Sequence, residues 1–227
     1  YTLDNGQVGE LQYETFNASQ ATIEIEGTAV HPGNAYKTLV NAILIARDIL
    51  NKLPKDEVPE KTKDRAGFIL VTKADLQIDR ATLQLIIRDF DQAKFKQKEE
   101  LIKKIVAQCN AKLDRPRIKV IFEQQYENIA NTITKHPYIV NLALVAYKRL
   151  GLTPKIVPFR GGTDGNFITQ KGIPTPNLFN GGGNYHGRYE YVTSEQLLLT
   201  ANTVTTIVKE HVRQTKCGRD ERALEIS

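Results

Sequence analysis

The sequence predicts an α/β protein in which an α+β domain is inserted into part of an α/β sandwich. Two observations support this fold class. Within residues 13–127, apolar residues alternate as in strands or recur at helical spacing, in the order strand, helix, strand, strand, helix, strand. From residue 128 onward, helical stretches alternate with short apolar stretches and glycine-rich loops. We therefore predict two domains, one formed by residues 1–12 and 128–227 and the other by 13–127.

The inserted domain is predicted to contain a four-stranded antiparallel sheet with both helices on one face. The strands follow the alternation of apolar and polar residues, and each helix has an apolar stripe at steps of three and four. The expected strands lie around Ile23 and Ile25, at 68–71, at 81–90 and at 118–122, and the expected helices lie at 39–53 and 95–113.

The second part of the chain predicts three helices and two short strands. The strands are expected at 156–158 and 176–179, and the helices at 139–150, near 164–170, and after the capping box that Thr193 begins. The apolar spacing of the last helix predicts that its buried face consists of Leu197, Ala201, Val204, Val208 and Val212.

Composition excludes several classes of function. The chain is 41% hydrophobic and 25% charged, as in ordinary globular domains. Its net charge is +5, but the lysines are interleaved with acidic residues, so we predict no binding of nucleic acid. No apolar run reaches the roughly 18 residues that a membrane span requires. Cys109 and Cys217 are isolated, which favours a reducing cytoplasm. Cys109 lies in an apolar stripe and is predicted to be part of the core.

Two glycine clusters are the strongest candidates for a site, because they let backbone amides approach a ligand closely. The first runs from Arg160 to Gly165 and contains Asp164; the second surrounds His186. A histidine in a loop is also compatible with a solvated side chain. Likewise, Asp4 precedes an Asn-Gly turn and is compatible with ordinary turn chemistry.

Motifs in a fixed order resemble the peptidase T family of tripeptide aminopeptidases, which belongs to a clan of dizinc aminopeptidases and carboxypeptidases. They are Leu3-Asp4-Asn5-Gly6, Val30-His31-Pro32-Gly33, Ile87-Arg88-Asp89-Phe90-Asp91, Arg160-Gly161-Gly162-Thr163-Asp164-Gly165 and Asn184-Tyr185-His186-Gly187.

The resemblance implies a zinc-peptidase α/β sandwich interrupted by a lid domain that forms a homodimer. It implies that Asp4 ligates one zinc ion and His186 the other, and that a zinc-bound water attacks a short peptide. The other metal ligands and the general base would lie in a segment preceding Tyr1, so the chain alone is expected to be inactive.

The same resemblance implies roles for four further residues. His31 would stabilise the oxyanion in the partner subunit's active site, although it could simply be a turn histidine before a proline. Arg88 and Arg160 would contact the substrate, although Arg88 could instead pair with a neighbouring aspartate. Asp164 is also placed with the substrate-binding residues, and it could anchor the glycine loop through its own backbone.

The leading hypothesis is therefore a cytoplasmic dizinc aminopeptidase that releases the N-terminal residue of tripeptides. A related enzyme that hydrolyses dipeptides or N-acyl amino acids is the nearest alternative. A non-catalytic dimerisation or interaction module is the alternative from another class.

Overall fold

The structure is a computed structural model that describes residues 1–224, with side chains to Thr215. It contains two compact units, one formed by Phe16–Glu127 and the other by Tyr1–Thr15 with the chain from Asn128 onward. The unit boundaries fall close to the predicted residues 12 and 127. The assignment of a catalytic domain and a lid to these units stays a prediction.

Along the chain, the strands and the α-helices are β1 Glu10–Gln12, β2 Asn17–Glu26, α1 Ala42–Leu50, β3 Phe68–Leu76, β4 Arg80–Asp89, α2 Gln92–Asn110, β5 Ile118–Tyr126, α3 Ala130–Ile133, α4 Pro137–Arg149, β6 Lys155–Ile156, α5 Asp164–Gln170, β7 Asn177–Leu178 and α6 Ser194–Leu224.

The unit Phe16–Glu127 contains the predicted four-stranded antiparallel sheet, with the strand order β3-β4-β2-β5. Because side chains alternate along a strand, Ile23 on β2 and Leu83 on β4 point to the same face and are fully buried. Residues of α1 and α2 belong to the same hydrophobic cluster, so both helices cover that one face. Cys109 lies in this core, as its apolar stripe predicts.

The helices of this unit begin at polar caps. The side chain of Asn41 accepts a hydrogen bond from the backbone of Ile43 at 2.9 Å, and that of Asp91 accepts one from Lys94 at 2.9 Å. These bonds satisfy backbone donors that have no partner within the helix.

The other unit is built around a small mixed sheet with the order β6-β1-β7. Strand β1 is parallel to β6 and antiparallel to β7. The core beside this sheet includes Leu11 on β1, Tyr147 on α4 and Phe179 directly after β7. The hydroxyl of Tyr147 donates to the carbonyl of Glu10 at 2.8 Å, so its buried polar atom is satisfied.

The buried face of α6 differs from the prediction. Thr203, Ile207 and Glu210 are buried, whereas Val204, Val208 and the other predicted residues are exposed. The hydroxyl of Thr203 donates to the carbonyl of Leu199 at 2.8 Å, so a threonine can be buried against α4 without losing a hydrogen bond. The prediction that the stripe containing the valines forms the buried face of α6 was therefore wrong.

Among the described residues, no helix has both the length and the apolar character that crossing a bilayer requires.

Candidate functional site

Asp4 lies in a segment that runs beside β7. The backbone of Leu178 donates to Thr2 at 2.9 Å, and that of Gly181 donates to Gly6 at 2.9 Å. These two bonds bracket Asp4 and hold its backbone against the strand end. Asp4 as a whole residue is exposed, although neighbouring groups partly desolvate its carboxylate.

His186 lies in a tight loop that the backbone closes at both ends. Gly183 donates to the carbonyl of Tyr191 at 2.9 Å, and Tyr191 donates back at 3.1 Å. Within the loop, Asn184 and His186 have positive φ angles of 56° and 61°. Such a conformation costs a non-glycine residue on the order of 1 kcal/mol, so the surrounding bonds must hold it. One of them joins the backbone N–H of His186 to the carboxylate of Glu190 at 3.0 Å.

The side chains of Asp4 and His186 lie close enough to interact electrostatically. Partial burial raises the pKa of the Asp4 carboxyl, and the carboxylate of Asp164 raises that pKa further. The imidazole of His186 lowers the pKa of Asp4, and the carboxylate of Glu190 raises it. Four ionisable side chains from three separate segments of the chain therefore share one electrostatic environment.

The chemistry of this pair fits part of a metal site. Carboxylate oxygen and imidazole nitrogen are both donors that zinc accepts, and a catalytic zinc ion takes about three protein ligands. Among the residues whose side chains are described, no group of three or more His, Cys, Asp or Glu is arranged to hold a metal ion. Asp4 and His186 can contribute ligands to a site, but other residues would have to complete it.

The first glycine cluster leads directly into α5. The hydroxyl of Thr163 accepts the N–H of Gly165 at 3.0 Å, and the side-chain oxygen of Asn166 accepts the N–H of Thr163 at 2.9 Å. This capping box anchors the loop, a role that the sequence also allowed for Asp164. Asp164 is the first residue of α5 and is exposed, and Arg160 is half-buried at the start of the loop.

His31 and Arg88 belong to the unit Phe16–Glu127. His31 is exposed before a short 3₁₀ turn, and its Nδ1 accepts the N–H of Gly33 at 3.2 Å. The guanidinium of Arg88 donates to the carbonyls of Ser19 at 3.1 Å and Ile87 at 2.9 Å, and to Gln125 Oε1 at 2.6 Å.

The aspartates beside Arg88 have other partners. Lys98 Nζ donates to Asp89 Oδ2 at 3.0 Å, and Asp91 caps α2. Arg88 itself lies over the ring of Tyr126, 5.4 Å from its centroid. The contacts described for Arg88 are thus with carbonyls, an amide and an aromatic ring.

Sequence reasoning missed the residues that support Asp4 and His186. Asn177 and Asn180 flank the buried residues Leu178 and Phe179, and both side chains bind the backbone of Asp4. Their three-residue spacing around a short apolar pair was the only signal in the sequence, and such spacing is also common in ordinary loops.

Comparison with protein families identifies the class of the central domain. Residues 13–115 match the family described as Peptidase dimerisation domain, M20_dimer. This region of the chain is therefore similar to the dimerisation domains of M20 peptidases.

Most of the chain is similar to curated proteins named Peptidase T. The Peptidase T of Fusobacterium nucleatum subsp. nucleatum is 44% identical over 209 residues, which are 92% of this chain and 51% of that protein. The resemblance predicted from the motifs is thus confirmed over most of the chain. The chain spans about half the length of the curated relatives it matches.

Solved structures confirm the fold. The aminopeptidase PepT of Bacillus cereus ATCC 10987 has a TM-score of 0.73 at 23% identity, over 91% of this chain and 55% of that one. A tripeptidase of Staphylococcus aureus has a TM-score of 0.77 at 21% identity, over 91% and 54%. A dinuclear metal binding peptidase of the M20 family from Bacillus subtilis has a TM-score of 0.61 at 16% identity, over 90% and 55%.

Proposed function

We propose that this chain is part of a metal-dependent aminopeptidase that releases the N-terminal residue of tripeptides. The proximity of Asp4 and His186 carries the proposal, because two metal-ligating groups from opposite ends of the chain share one environment. The names of similar proteins support it. The relative that is similar in sequence is named Peptidase T, and the structures with a similar fold are an aminopeptidase and a tripeptidase.

The proposed cofactor is a pair of zinc ions. Asp4 would ligate one ion and His186 the other, and the remaining ligands would come from the part of the relatives that this chain does not span. A bound zinc pair would make a water nucleophilic at neutral pH and polarise the peptide carbonyl. The dinuclear metal binding peptidase among the structural neighbours supports two ions.

The chain's own cationic side chains would bind the substrate. Arg88 and Arg160 each carry a planar fork of donors suited to a carboxylate or a peptide carbonyl. For Arg88, the bonds to Ser19 and Gln125 hold this fork in one orientation. We place Asp164 with them, as an exposed carboxylate within electrostatic reach of Asp4.

His31 would act in the partner subunit's active site of a homodimer formed through the dimerisation domain. Because its Nδ1 accepts the Gly33 N–H, the proton of the neutral imidazole resides on Nε2. That N–H is exposed and can donate to the oxygen on which negative charge develops. The cytoplasmic location predicted from the isolated cysteines stays a prediction.

A chimeric enzyme tests the proposal. This chain would replace its matching half in the Fusobacterium nucleatum relative, and hydrolysis of a tripeptide would be measured with and without zinc. We expect zinc-dependent release of the N-terminal residue. Asp4→Asn and His186→Ala should each reduce the rate to the level without zinc, because each removes a proposed ligand.

Matched controls use exposed residues of the same types outside the proposed site. Asp79→Asn and His211→Ala should leave the rate unchanged. Full activity of Asp4→Asn or His186→Ala would contradict the assignment of the metal ligands. Hydrolysis of a dipeptide or an N-acyl amino acid in preference to the tripeptide would favour the related-enzyme alternative.

A second candidate function follows from the match of residues 13–115 to a dimerisation domain. In this alternative the chain is only a dimerisation or interaction module. Dimers of the chain, together with an inactive chimera that binds no zinc, would favour it over the enzyme.

A further inference from the structure

Asn177 and Asn180 hold the backbone of Asp4 from both sides. Asn177 Oδ1 accepts the N–H of Asp4 at 3.0 Å, and Asn180 Nδ2 donates to its carbonyl at 2.7 Å. Asn177 is itself fixed, because its Nδ2 donates to Gln12 Oε1 at 2.9 Å and it is 1% exposed. The main-chain position of Asp4 is therefore set by two side chains of the β7 segment.

The other end of the Asn180 side chain binds the loop that contains His186. Asn180 Oδ1 accepts the N–H of Gly182 at 2.9 Å and the hydroxyl of Tyr185 at 2.5 Å. Tyr185 directly precedes His186, and its hydroxyl also contacts the backbone of Gly6. The Asn180 carboxamide thus binds both the Asp4 segment and the His186 loop, which are also joined by the Tyr185–Gly6 contact and by a bond from Gln7 Nε2 to the Gly182 carbonyl at 3.4 Å.

The backbone of Asn180 is well suited to this role. Phe179, directly before it, is 1% exposed, and the hydroxyl of Thr200 on α6 approaches the carbonyl of Asn180 at 3.4 Å. Gly181, directly after it, has a φ of +79°, which lets the chain turn immediately towards the loop. The carboxamide is therefore presented from a fixed point between the two segments.

We propose that Asn180 is a positioning residue that sets the distance between Asp4 and His186, and so controls the affinity of the zinc pair to which each would contribute one ligand. The metal part of this proposal rests on the proposed function; the link between the two segments does not. A carboxamide is required because it donates and accepts at once, which neither a carboxylate nor a methyl group does.

Three substitutions separate the two halves of the link. Asn180→Asp keeps the acceptor for Gly182 and Tyr185 but removes the donor to Asp4. Tyr185→Phe removes the hydrogen bond from the Tyr185 hydroxyl to Asn180 Oδ1 and keeps the bond from Asn180 Nδ2 to the Asp4 carbonyl. Asn180→Ala removes both, and Asn202→Ala, an exposed amide on α6, is the matched control.

Amide hydrogen exchange measured by NMR on this chain reports the link without any metal. Asn180→Ala should accelerate exchange at Asp4 and Gly182 by about tenfold or more, because both segments lose a tether. Asn180→Asp should accelerate exchange at Asp4 but not at Gly182, and Tyr185→Phe should accelerate it in the loop and at Gly6 but not at Asp4. The sheet of the unit Phe16–Glu127 should exchange as before in every variant, which separates this effect from unfolding.

A titration with Zn²⁺ alone, followed at the NMR signals of Asp4 and His186, reports the positioning. In the unmodified chain the signals of both residues should respond to Zn²⁺, and each response gives a Kd. In Asn180→Ala these Kd values should rise about tenfold, the effect typical of residues that orient metal ligands. The Asp variant is left out of this titration because it adds a carboxylate beside the metal.

The outcomes distinguish the two proposals. If neither Asp4 nor His186 responds to Zn²⁺ in the unmodified chain, the proposed metal ligands are wrong, and hydrogen exchange still decides whether Asn180 links the segments. If Zn²⁺ binds but Asn180→Ala changes neither the Kd nor the exchange at Asp4, the positioning role is overturned. An equal change in Asn202→Ala would overturn it as well.

Discussion

At the scale of single residues, Lys98 joins a loop to a strand in the four-stranded unit. Its Nζ lies 2.7 Å from Glu57 Oε2 and 3.0 Å from Asp89 Oδ2. The Lys98 side chain is only 11% exposed and that of Asp89 only 3%. A charge buried to this extent requires its partner, because an unpaired ion in the interior is strongly destabilising.

The pKa of Lys98 makes this interaction testable. Burial lowers the pKa, but the hydrogen bonds to Glu57 and Asp89 outweigh burial and raise it above its ordinary value of 10.5. Because the folded state holds the proton more tightly, the stabilisation is complete below pH 10.5 and is lost as the pH rises through the higher folded pKa.

Lys98→Met should therefore lower the free energy of unfolding by about 1–3 kcal/mol near neutral pH, since Asp89 loses a buried partner. The difference from the unmodified chain should shrink above pH 10.5. Urea unfolding over pH 7–11 measures both effects, and Lys104→Met, at an exposed position of the same helix, is the control. A difference that stays constant up to pH 11 would contradict the raised pKa.

Single residues also mark how far the site could be predicted. Asp4 and His186 could be proposed because each lies in a recognisable motif, and in the structure their side chains interact electrostatically. Asn180 could not, because its importance lies in two hydrogen bonds to segments distant from each other in sequence. Spacing and composition carry no information about such contacts.

At the scale of elements, prediction succeeded where hydrophobicity and local geometry agree. Strands β2 and β4 show plain alternation, and the helices of this unit start at Asn41 and Asp91, which are good caps. In α6 the two signals diverge. Its valines form the more hydrophobic stripe, but the face packed on α4 consists of threonines, Ile207 and the buried Glu210.

The burial of Glu210 explains part of this orientation. Its carboxylate accepts hydrogen bonds from Arg213 at 2.7 Å and lies 2.7 Å from the guanidinium of Arg149 on α4. Turning the helix to bury the valines would expose the Glu210 carboxylate and separate it from Arg149 on α4. Electrostatic pairing therefore contributes to the orientation of α6 alongside the packing of Ile207.

Adjacent residues of α6 give a matched test. Ile207→Ala should lower the free energy of unfolding by about 2–4 kcal/mol, because it leaves a cavity beside α4. Val208→Ala, at a residue that is 58% exposed, should cost less than about 1 kcal/mol. Thermal or urea unfolding of the two variants compares them directly, and equal losses would contradict an orientation of α6 that buries Ile207 and exposes Val208.

At the scale of the whole molecule, the unit Phe16–Glu127 has a core of its own. One cluster lies between the sheet and its two helices, and a smaller cluster of Phe16, Phe68 and Phe90 accompanies it. Fully buried residues such as Ile23 and Leu83 occur on both central strands. A unit of this size with its own core is expected to fold by itself.

The polypeptide 13–127, produced alone, should therefore unfold in one cooperative transition and form dimers. Folding follows from the separate core; dimerisation follows from the proposal that the domain joins two copies of the chain. Thermal unfolding followed by circular dichroism measures the folding. Sedimentation at about 5–200 μM measures dimerisation, because this concentration range covers the weak to moderate affinities of specific interfaces.

Leu85→Ala, at a fully buried position of β4, should lower the melting temperature of this polypeptide by several degrees. The complete chain is measured in parallel. If the folded polypeptide and the complete chain both remain monomeric at the highest concentration, this domain is ruled out as the dimerisation element. A dimeric complete chain with a monomeric 13–127 would instead assign the interface to the other unit.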